Sequence, residues 1–254
     1  MAFDLTGKCA VVVGGTSGIG KAIALGLASA GADVVTSSRS AEPVDAMADE
    51  LERSGRRTLR MVSDVTDRRS LQELHDVVRE SFGRIDILVN SAGMTKRVPT
   101  LECPEALWQN IMNVNLNGTL RACQIFGASM LEQGWGRIIN VASLSTFVAF
   151  RDVAAYGASK AAVGALTRSL AVEWAQRGVC VNAIAPGIFP TDLNRALLDS
   201  PRGQELLQRT PMNRFGVVDE LAGTAVFLAS NESSYITGQI ITVDGGYLAS
   251  GVNQ

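Results

Sequence analysis

Residues 9–30, CAVVVGGTSGIGKAIALGLASA, contain the pattern that decides the fold. Cys9 to Val13 is a continuous apolar run, which is typical of a strand buried on both faces of a parallel sheet. Gly14, Gly18 and Gly20 follow at once, and the next residues have the composition of a helix. The order strand, glycine-rich turn, helix predicts the first βα unit of an α/β domain. Taken alone, the glycines are also compatible with a flexible turn that binds nothing.

Strand and helix patterns alternate along the rest of the chain. Short apolar runs predict further strands at 34–37, 58–62, 85–89, 138–143, 180–184 and 239–243. Helical patterns lie between them at 43–53, 67–82, 104–131, 156–176 and 218–229. Alternation with short connections predicts a doubly wound parallel sheet of about seven strands with helices on both faces, a Rossmann fold, as a single domain over residues 1–254. Such sheets bind ligands at the carboxyl ends of their strands.

Composition excludes several classes of function. The chain has 254 residues, is 46% hydrophobic, and carries 23 basic against 25 acidic residues, so neither a nucleic-acid nor a membrane partner is expected. The first residues lack a basic-then-apolar leader and the apolar runs are too short to span a bilayer, so the predicted location is the cytoplasm. Four scattered cysteines and one histidine, His75, predict neither a disulfide framework nor a metal site. His75 is interpreted as a helix-surface residue.

Three polar side chains suggest a device for proton transfer. Tyr156 and Lys160 lie four residues apart in a helical pattern, so they share one face, and Ser143 ends the preceding strand. A neighbouring ammonium favours a phenolate, so Lys160 is expected to lower the pKa of Tyr156 from its usual value of about 10. A phenol tuned in this way is suited to general acid/base catalysis. The alternative is an ordinary half-buried tyrosine beside a surface lysine.

The ends of the second and third predicted strands indicate a dinucleotide site. Glycines at a helix N-terminus allow a pyrophosphate to approach the backbone. Ser38 and Arg39 stand where an acidic residue would bind the ribose 2′-hydroxyl of NAD; a hydroxyl and a guanidinium instead suit the 2′-phosphate of NADP. Asp64 and Val65 are placed to meet an adenine ring. NADP(H) is therefore favoured and NAD(H) remains possible; a solvated Arg39 is the alternative.

Three further segments carry expectations. Asn and Gly are poor helix formers, so the cluster 113–118 predicts a kink, with Asn115 binding a water; a run of exposed polar residues is the alternative. The helix after Tyr156 is apolar and rich in small residues on all sides, which predicts a subunit interface. The long connection from Pro186 to Pro211 is typical of a functional lid or of disorder.

Taken together, these residues resemble the short-chain dehydrogenase/reductase family over essentially the whole chain. The motifs that carry the resemblance are Gly14-x-x-x-Gly18-Ile19-Gly20, Asp64-Val65, Asn90-Ser91-Ala92-Gly93, Asn115, Ser143, Tyr156-x-x-x-Lys160, Pro186-Gly187 and Val243-Asp244-Gly245-Gly246. The resemblance implies that Tyr156 exchanges a proton with the substrate oxygen and that Ser143 hydrogen-bonds that oxygen. It implies that Lys160 tunes Tyr156 and binds the nicotinamide ribose, while Asn115 holds a water. A homotetramer or homodimer is also implied.

The same resemblance implies a set of cofactor-binding residues. They are Gly14, Thr16, Ser17, Gly18, Ile19, Gly20, Ser38, Arg39, Asp64, Val65, Asn90, Ala92, Gly93, Tyr156, Lys160, Pro186, Gly187, Ile188 and Thr191. The expected activity is hydride transfer between NADP(H) and a secondary alcohol or ketone of a small-molecule substrate.

Within the family, the loop from Lys96 to Pro99 and the segment 209–216 resemble the gluconate 5-dehydrogenases and their deoxygluconate relatives. The predicted substrate is therefore a sugar acid such as gluconate or 5-keto-gluconate. Arg97 is expected to bind its carboxylate and Ser145 to contact it, although Arg97 is equally compatible with a surface position. A 3-oxoacyl-thioester reductase and a catalytically silent NADP-binding regulator are the alternative functions.

Overall fold

The structure is a computed structural model that describes residues 3–191, 198 and 200–251. Within these residues the strands are β1 (Cys9–Val13), β2 (Asp33–Ser37), β3 (Ile87–Asn90), β4 (Gly136–Val141), β5 (Val179–Pro186) and β6 (Ile240–Val243). The helices are α1 (Gly18–Ser29), α2 (Ala41–Arg53), α3 (Arg68–Phe82), α4 (Glu105–Met112), α5 (Gly118–Gln133), α6 (Ala154–Trp174), α7 (Pro201–Gln208) and α8 (Glu220–Ala229).

All pairings in the sheet are parallel, and the strand order is β2-β1-β3-β4-β5-β6. The chain leaves β1 toward β2 and returns to β3 on the other side of β1. The carboxyl ends of β1 and β3 therefore border the crevice where such a sheet binds ligands. The doubly wound Rossmann architecture predicted from the alternation of patterns is confirmed.

Successive side chains of each strand enter two separate cores, one on each face of the sheet. Ala10 and Val12 of β1 pack with α1, α2 and α8, whereas Val11 and Val13 pack with α3, α5 and α6. Because both faces are covered by helices, the strands read as continuous apolar runs. The cores hold the strand ends at fixed positions, and the loops that follow those ends build the site.

The predicted strand at 58–62 is not formed, so the described part of the sheet has six strands where about seven were expected. The segment runs beside β2 and is hydrogen-bonded only at its two flanks: Val34 N of β2 donates to Arg57 O at 3.2 Å, and Ser63 N donates to Ser38 O, just after β2, at 2.9 Å. Between these contacts Val62 is 49% exposed. An apolar run at a sheet edge has one open side, and periodicity alone does not distinguish it from a paired strand.

The helical pattern predicted to be interrupted at 113–118 contains a π-helical segment, Asn113–Asn117, between α4 and α5. The long connection after Pro186 contains α7, while residues 192–197 and 199 of that predicted lid lie outside the described residues. His75 is not a plain surface residue: its side chain is 13% exposed and packs edge-on against Phe126.

Residues 3–191, 198 and 200–251 contain neither a membrane-spanning helix nor a cluster of metal-binding side chains. No helix there combines the length and the apolar character needed to cross a membrane. Nor does that part of the chain bring together three or more His, Cys, Asp or Glu side chains that could bind a metal ion.

Candidate active site

The glycine turn after β1 brings backbone unusually close to backbone. Gly14 has φ +80°, and a Cβ atom there would lie 2.5 Å from Ala92 N, so no other residue fits without movement. Gly18, with φ +50°, opens α1, and the N-cap Ser17 makes no side-chain capping bond. The first N–H groups of α1 therefore lack an internal partner and are available to an anion. Thr191 lies over this turn, since a Cβ atom at Gly18 would be 3.4 Å from its methyl group.

The loops after β2 and Ser63 form the neighbouring part of the crevice. Ser38 donates to Ser40 O at 3.3 Å, and Arg39 is exposed. Asp64 accepts hydrogen bonds from Thr66 N at 2.8 Å and Thr66 Oγ1 at 2.7 Å. Burial is the largest influence on the pKa of Asp64 and raises it, but these bonds and the charge of Arg39 together hold the pKa below its usual value.

Asn115 is fully buried in the π-helical segment and uses its whole amide. Its Oδ1 accepts from Met94 N at 2.8 Å, and its Nδ2 donates to Met94 O at 2.9 Å and to Ser159 Oγ at 3.0 Å. The π-helix adds one residue to the turn and so changes which side chains face inward. In this segment the Asn115 amide points into the protein. Asn115 thus joins the loop after β3 to the helix that carries Tyr156. The expected water on Asn115 stays a prediction.

Lys160 is 5% exposed and donates from Nζ to Val141 O at 2.7 Å. Burial lowers its pKa to about 8. Its Nζ lies 5.8 Å from the centre of the Tyr156 ring and, like Asn115, borders Gly93, where a Cβ atom would be 3.6 Å from Nζ. The lysine is therefore near its titration range at neutral pH and opens onto the crevice.

Burial raises the pKa of the half-buried Tyr156, while a hydrogen bond with Ser143 lowers it by a smaller amount. This direction is opposite to the one expected from the sequence. Desolvation penalises the phenolate and the ammonium alike, so the burial that brings Tyr156 and Lys160 together also weakens the charge of the lysine. Ser143 serves a second partner as well, because its Oγ accepts from Ser145 N at 3.1 Å.

The end of β5 closes the crevice. Gly187 N donates to Val243 O at 2.8 Å, and a Cβ atom at Gly187 would lie 2.6 Å from Asp244 Cα. Ile188 O accepts from Gly216 N at 3.0 Å. The Pro186-Gly187 turn therefore packs closely against Val243 and Asp244, which precede Gly245 and Gly246.

The two residues predicted to contact substrate have protein partners. Arg97 donates from Nη2 at 2.9 Å and from Nε at 3.2 Å to one carboxylate oxygen of Asp152. Ser145 is buried, 8% exposed, and held by Ser143. A cavity of about 390 Å³ lies between the Lys96–Cys103 loop, α4 and the first turn of α6, and its lining includes Ala155, the neighbour of Tyr156.

Sequence reasoning missed Asp152 and Arg121. Arg121 donates to Val65 O at 3.1 Å and to Asn113 Oδ1 at 2.8 Å, so it ties the π-helical segment to the Asp64 loop. A basic residue six positions after Asn115 was the only local signal. The Arg97–Asp152 and Arg121–Val65 contacts each join residues more than 50 positions apart in the chain. Patterns within a single sequence do not reveal such pairs.

Known proteins are similar to this chain over nearly its whole length. A family model described as enoyl-(acyl carrier protein) reductase matches residues 13–248. The 2-dehydro-3-deoxy-D-gluconate 5-dehydrogenase of Bacillus subtilis is 43% identical over 98% of this chain and 97% of its own. The D-threitol dehydrogenase of Mycolicibacterium smegmatis is 43% identical over 96% of this chain and 94% of its own.

One further relative and one solved structure widen the comparison. The 3-oxoacyl-(acyl-carrier-protein) reductase of Thermotoga maritima is 39% identical over 95% of this chain and 98% of its own. A gluconate 5-dehydrogenase from Burkholderia cenocepacia, solved in complex with NADP and tartrate, superposes with a TM-score of 0.94 at 38% identity and covers 98% of both chains. With its fold, its motifs and these full-length relatives, the chain belongs to the short-chain dehydrogenase/reductase family of oxidoreductases acting on CH–OH groups.

Proposed function

We propose that the protein is an NADP(H)-dependent oxidoreductase that interconverts a secondary alcohol and a ketone, with a sugar acid such as gluconate or 5-keto-gluconate as substrate. The observation that carries the proposal is the meeting of Ser143, Tyr156 and Lys160 beside the glycine turn at the carboxyl ends of the strands. That edge of a doubly wound sheet is where dinucleotides bind.

Tyr156 and Ser143 act on the substrate oxygen. In reduction, the Tyr156 phenol gives its proton to the carbonyl oxygen as the carbon receives a hydride, and in oxidation the phenolate takes the proton back. Ser143 hydrogen-bonds the same oxygen and fixes the carbonyl plane. The cofactor, when bound, supplies or accepts the hydride. A raised phenol pKa suits the reductive direction, because the donor must be protonated at the start of the step.

Lys160 and Asn115 support the tyrosine. Burial destabilises the Lys160 ammonium, and no carboxylate is among the influences on its pKa. A phenolate at Tyr156 would interact favourably with this ammonium, so Lys160 stabilises the negative charge that forms on Tyr156. Asn115 holds Met94 and Ser159 in place, which keeps the loop after β3 and the catalytic helix at a fixed separation. We therefore assign Asn115 a positioning role in addition to the water binding that the family implies.

The residues at the crevice fit a dinucleotide with a 2′-phosphate. Side chains are excluded at Gly14 by the approach of Ala92, which leaves backbone N–H groups for the pyrophosphate. Arg39 is exposed and makes no ion pair within the described residues, so its guanidinium is free to bind a phosphate. The NADP complex of the Burkholderia gluconate 5-dehydrogenase supports the same choice. NAD(H) remains the second candidate cofactor.

The test is the initial rate of NADPH oxidation with 5-keto-gluconate, with NADH and an acetoacetyl thioester measured under the same conditions. We expect rapid NADPH-dependent reduction of the keto acid and little reduction of the thioester. Tyr156→Phe should abolish turnover and leave NADPH binding nearly intact, because the substitution removes one hydroxyl. Turnover that survived Tyr156→Phe would refute the mechanism. NADPH binding without turnover of any carbonyl by the unmodified chain would support the silent regulator.

A 3-oxoacyl-thioester reductase is the second candidate, favoured by the Thermotoga maritima relative. It would use Ser143, Tyr156 and Lys160 in the same way, and the loops that face the substrate would differ. A faster rate with the acetoacetyl thioester than with the keto acid would replace the leading proposal with this one.

We also propose that the protein is a homotetramer or homodimer assembled through α6. The outward side of α6 carries small and apolar residues, among them Ala161, Ala165 and Val172, and Val172 is 82% exposed. An exposed stripe of small and apolar residues, here beside the exposed Arg168 and Glu173, is typical of a helix that another subunit covers. Light scattering after gel filtration measures the mass directly, and a monomer would contradict the assignment. The single-domain organisation and the cytoplasmic location stay predictions.

A further inference from the structure

Three segments at the rim of the crevice meet at Arg151 and Asp152. Val98 N donates to Asp152 O at 2.7 Å, which ties the loop after β3 to the residue four positions before Tyr156. Arg202 of α7 donates from Nη2 to Arg151 O at 3.1 Å, which ties in the segment that follows β5. Each of these segments follows the carboxyl end of a different strand, so their junction frames the entrance for substrate.

The Asp152 carboxylate lies at the centre of this junction. Its side chain is 19% exposed, and its Oδ2 accepts both Arg97 Nε and Arg97 Nη2. Lys96 and Val98 line the neighbouring cavity, while Arg97 between them is directed to Asp152. Alternation of side chains along an extended segment explains this division. The Arg97 guanidinium at the rim is therefore already occupied by an internal carboxylate.

We propose that Asp152 is a specificity-determining residue that acts through Arg97: it competes with a substrate carboxylate for the guanidinium, and so reduces the preference of the site for sugar acids over uncharged polyols and ketoses. The inference rests on the proposed function, since it assumes that Arg97 faces the substrate. A carboxylate substrate that takes Asp152's place on Arg97 then lies near the Asp152 charge, which the exposed Arg151, with Nε 3.8 Å from Asp152 Oδ1, offsets only weakly. A neutral polyol leaves the ion pair intact. Relatives of this chain include both a sugar-acid and a polyol dehydrogenase, so the two substrate classes occur on one scaffold.

The substitution Asp152→Asn removes the negative charge of the side chain and keeps its size and shape. Asp152 has φ +66°, a left-handed conformation that asparagine tolerates better than other residues with a Cβ. The Asp152 carbonyl that receives Val98 N belongs to the backbone and is unchanged. Asparagine still offers one oxygen to Arg97 but no negative charge, so Arg97 becomes available to a substrate carboxylate.

The experiment compares two substrates of the same carbon skeleton with NADPH and the full-length protein. They are 5-keto-gluconate and L-sorbose, in which a hydroxymethyl group replaces the carboxylate. We expect Asp152→Asn to raise the ratio of kcat/KM for the keto acid over L-sorbose about five- to tenfold, with a larger change at low ionic strength. The effect should appear mainly in KM for the keto acid.

Two controls identify the cause. Glu52→Gln on α2 makes the same change of charge and breaks an exposed ion pair between Glu52 and Arg60. It should leave the ratio of kcat/KM values unchanged. Combined with Arg97→Met, Asp152→Asn should change the ratio less than about twofold, because its effect runs through Arg97. An unchanged ratio in Asp152→Asn, or an equal loss on both substrates, would overturn the proposal. Failure of the unmodified protein to reduce either substrate would instead refute the proposed function, and this inference with it.

Discussion

Lys160→Met is predicted to stabilise the fold at neutral pH while removing activity. Lys160 is 5% exposed, and burial lowers its pKa from 10.5 to about 8. A lysine with a lowered pKa in the folded state binds fewer protons when folded than when unfolded between these two pKa values. Its penalty is therefore fully present below about pH 8 and is relieved as the pH rises toward 10.5.

The size of the effect follows from the pKa difference. A shift from 10.5 to about 8 corresponds to roughly 3 kcal/mol of lost stability at pH 7 and under about 1 kcal/mol at pH 10. Methionine fills the same channel without a charge, but it leaves Val141 O without its 2.7 Å partner, which costs about 1 kcal/mol. The expected net gain is about 2 kcal/mol at pH 7 and about zero at pH 10.

The assay is urea unfolding, followed by circular dichroism, of the original protein and the variant at pH 7 and pH 10 without cofactor. A gain of about 2 kcal/mol would also raise Tm by about 4–8 °C in a chain of this size. Lys96→Met, at an exposed position, controls for the loss of one positive charge. If Lys160→Met were less stable than the original protein by the same amount at both pH values, the account of Lys160 as a buried ammonium under strain would be wrong.

Two other predictions concern the choice of cofactor and the buried Asp86 at the amino ends of the strands. Arg39→Ala should raise KM for NADPH about 10- to 100-fold and change KM for NADH little, because a charged hydrogen bond to the 2′-phosphate contributes about 1.5–3 kcal/mol; equal changes for both cofactors would refute the assignment. Asp86 is 0% exposed, accepts from Cys9 N and Arg84, and forms an ion pair with Lys8, so Asp86→Asn should lower the free energy of unfolding by about 1.5–3 kcal/mol. Glu52→Gln, which breaks an exposed pair, should lower the free energy of unfolding much less in the same denaturation experiment, and similar losses in both variants would contradict the role of burial.

Local patterns were sufficient for the parts of the site that one segment builds. The glycine turn, the interruption of the helix at 113–117 and the pairing of Tyr156 with Lys160 depend on residues within about two turns of each other, and spacing predicts such arrangements. The parallel, doubly wound sheet followed from the alternation of patterns, because parallel strands need crossover helices, whereas the strand order came only from the structure.

The sequence by itself determined the fold class, the family motifs and the end of the strands at which the site lies. These depend on hydrophobic periodicity and on positions that require glycine or proline. The tertiary structure decided the strand that did not form at 58–62, the raised pKa of Tyr156 and the capture of Arg97 by Asp152. Each of these depends on burial or on a partner far away in the chain. Desolvation and long-range charge pairing act through three-dimensional distance, and that distance is set by the packing of helices on the sheet.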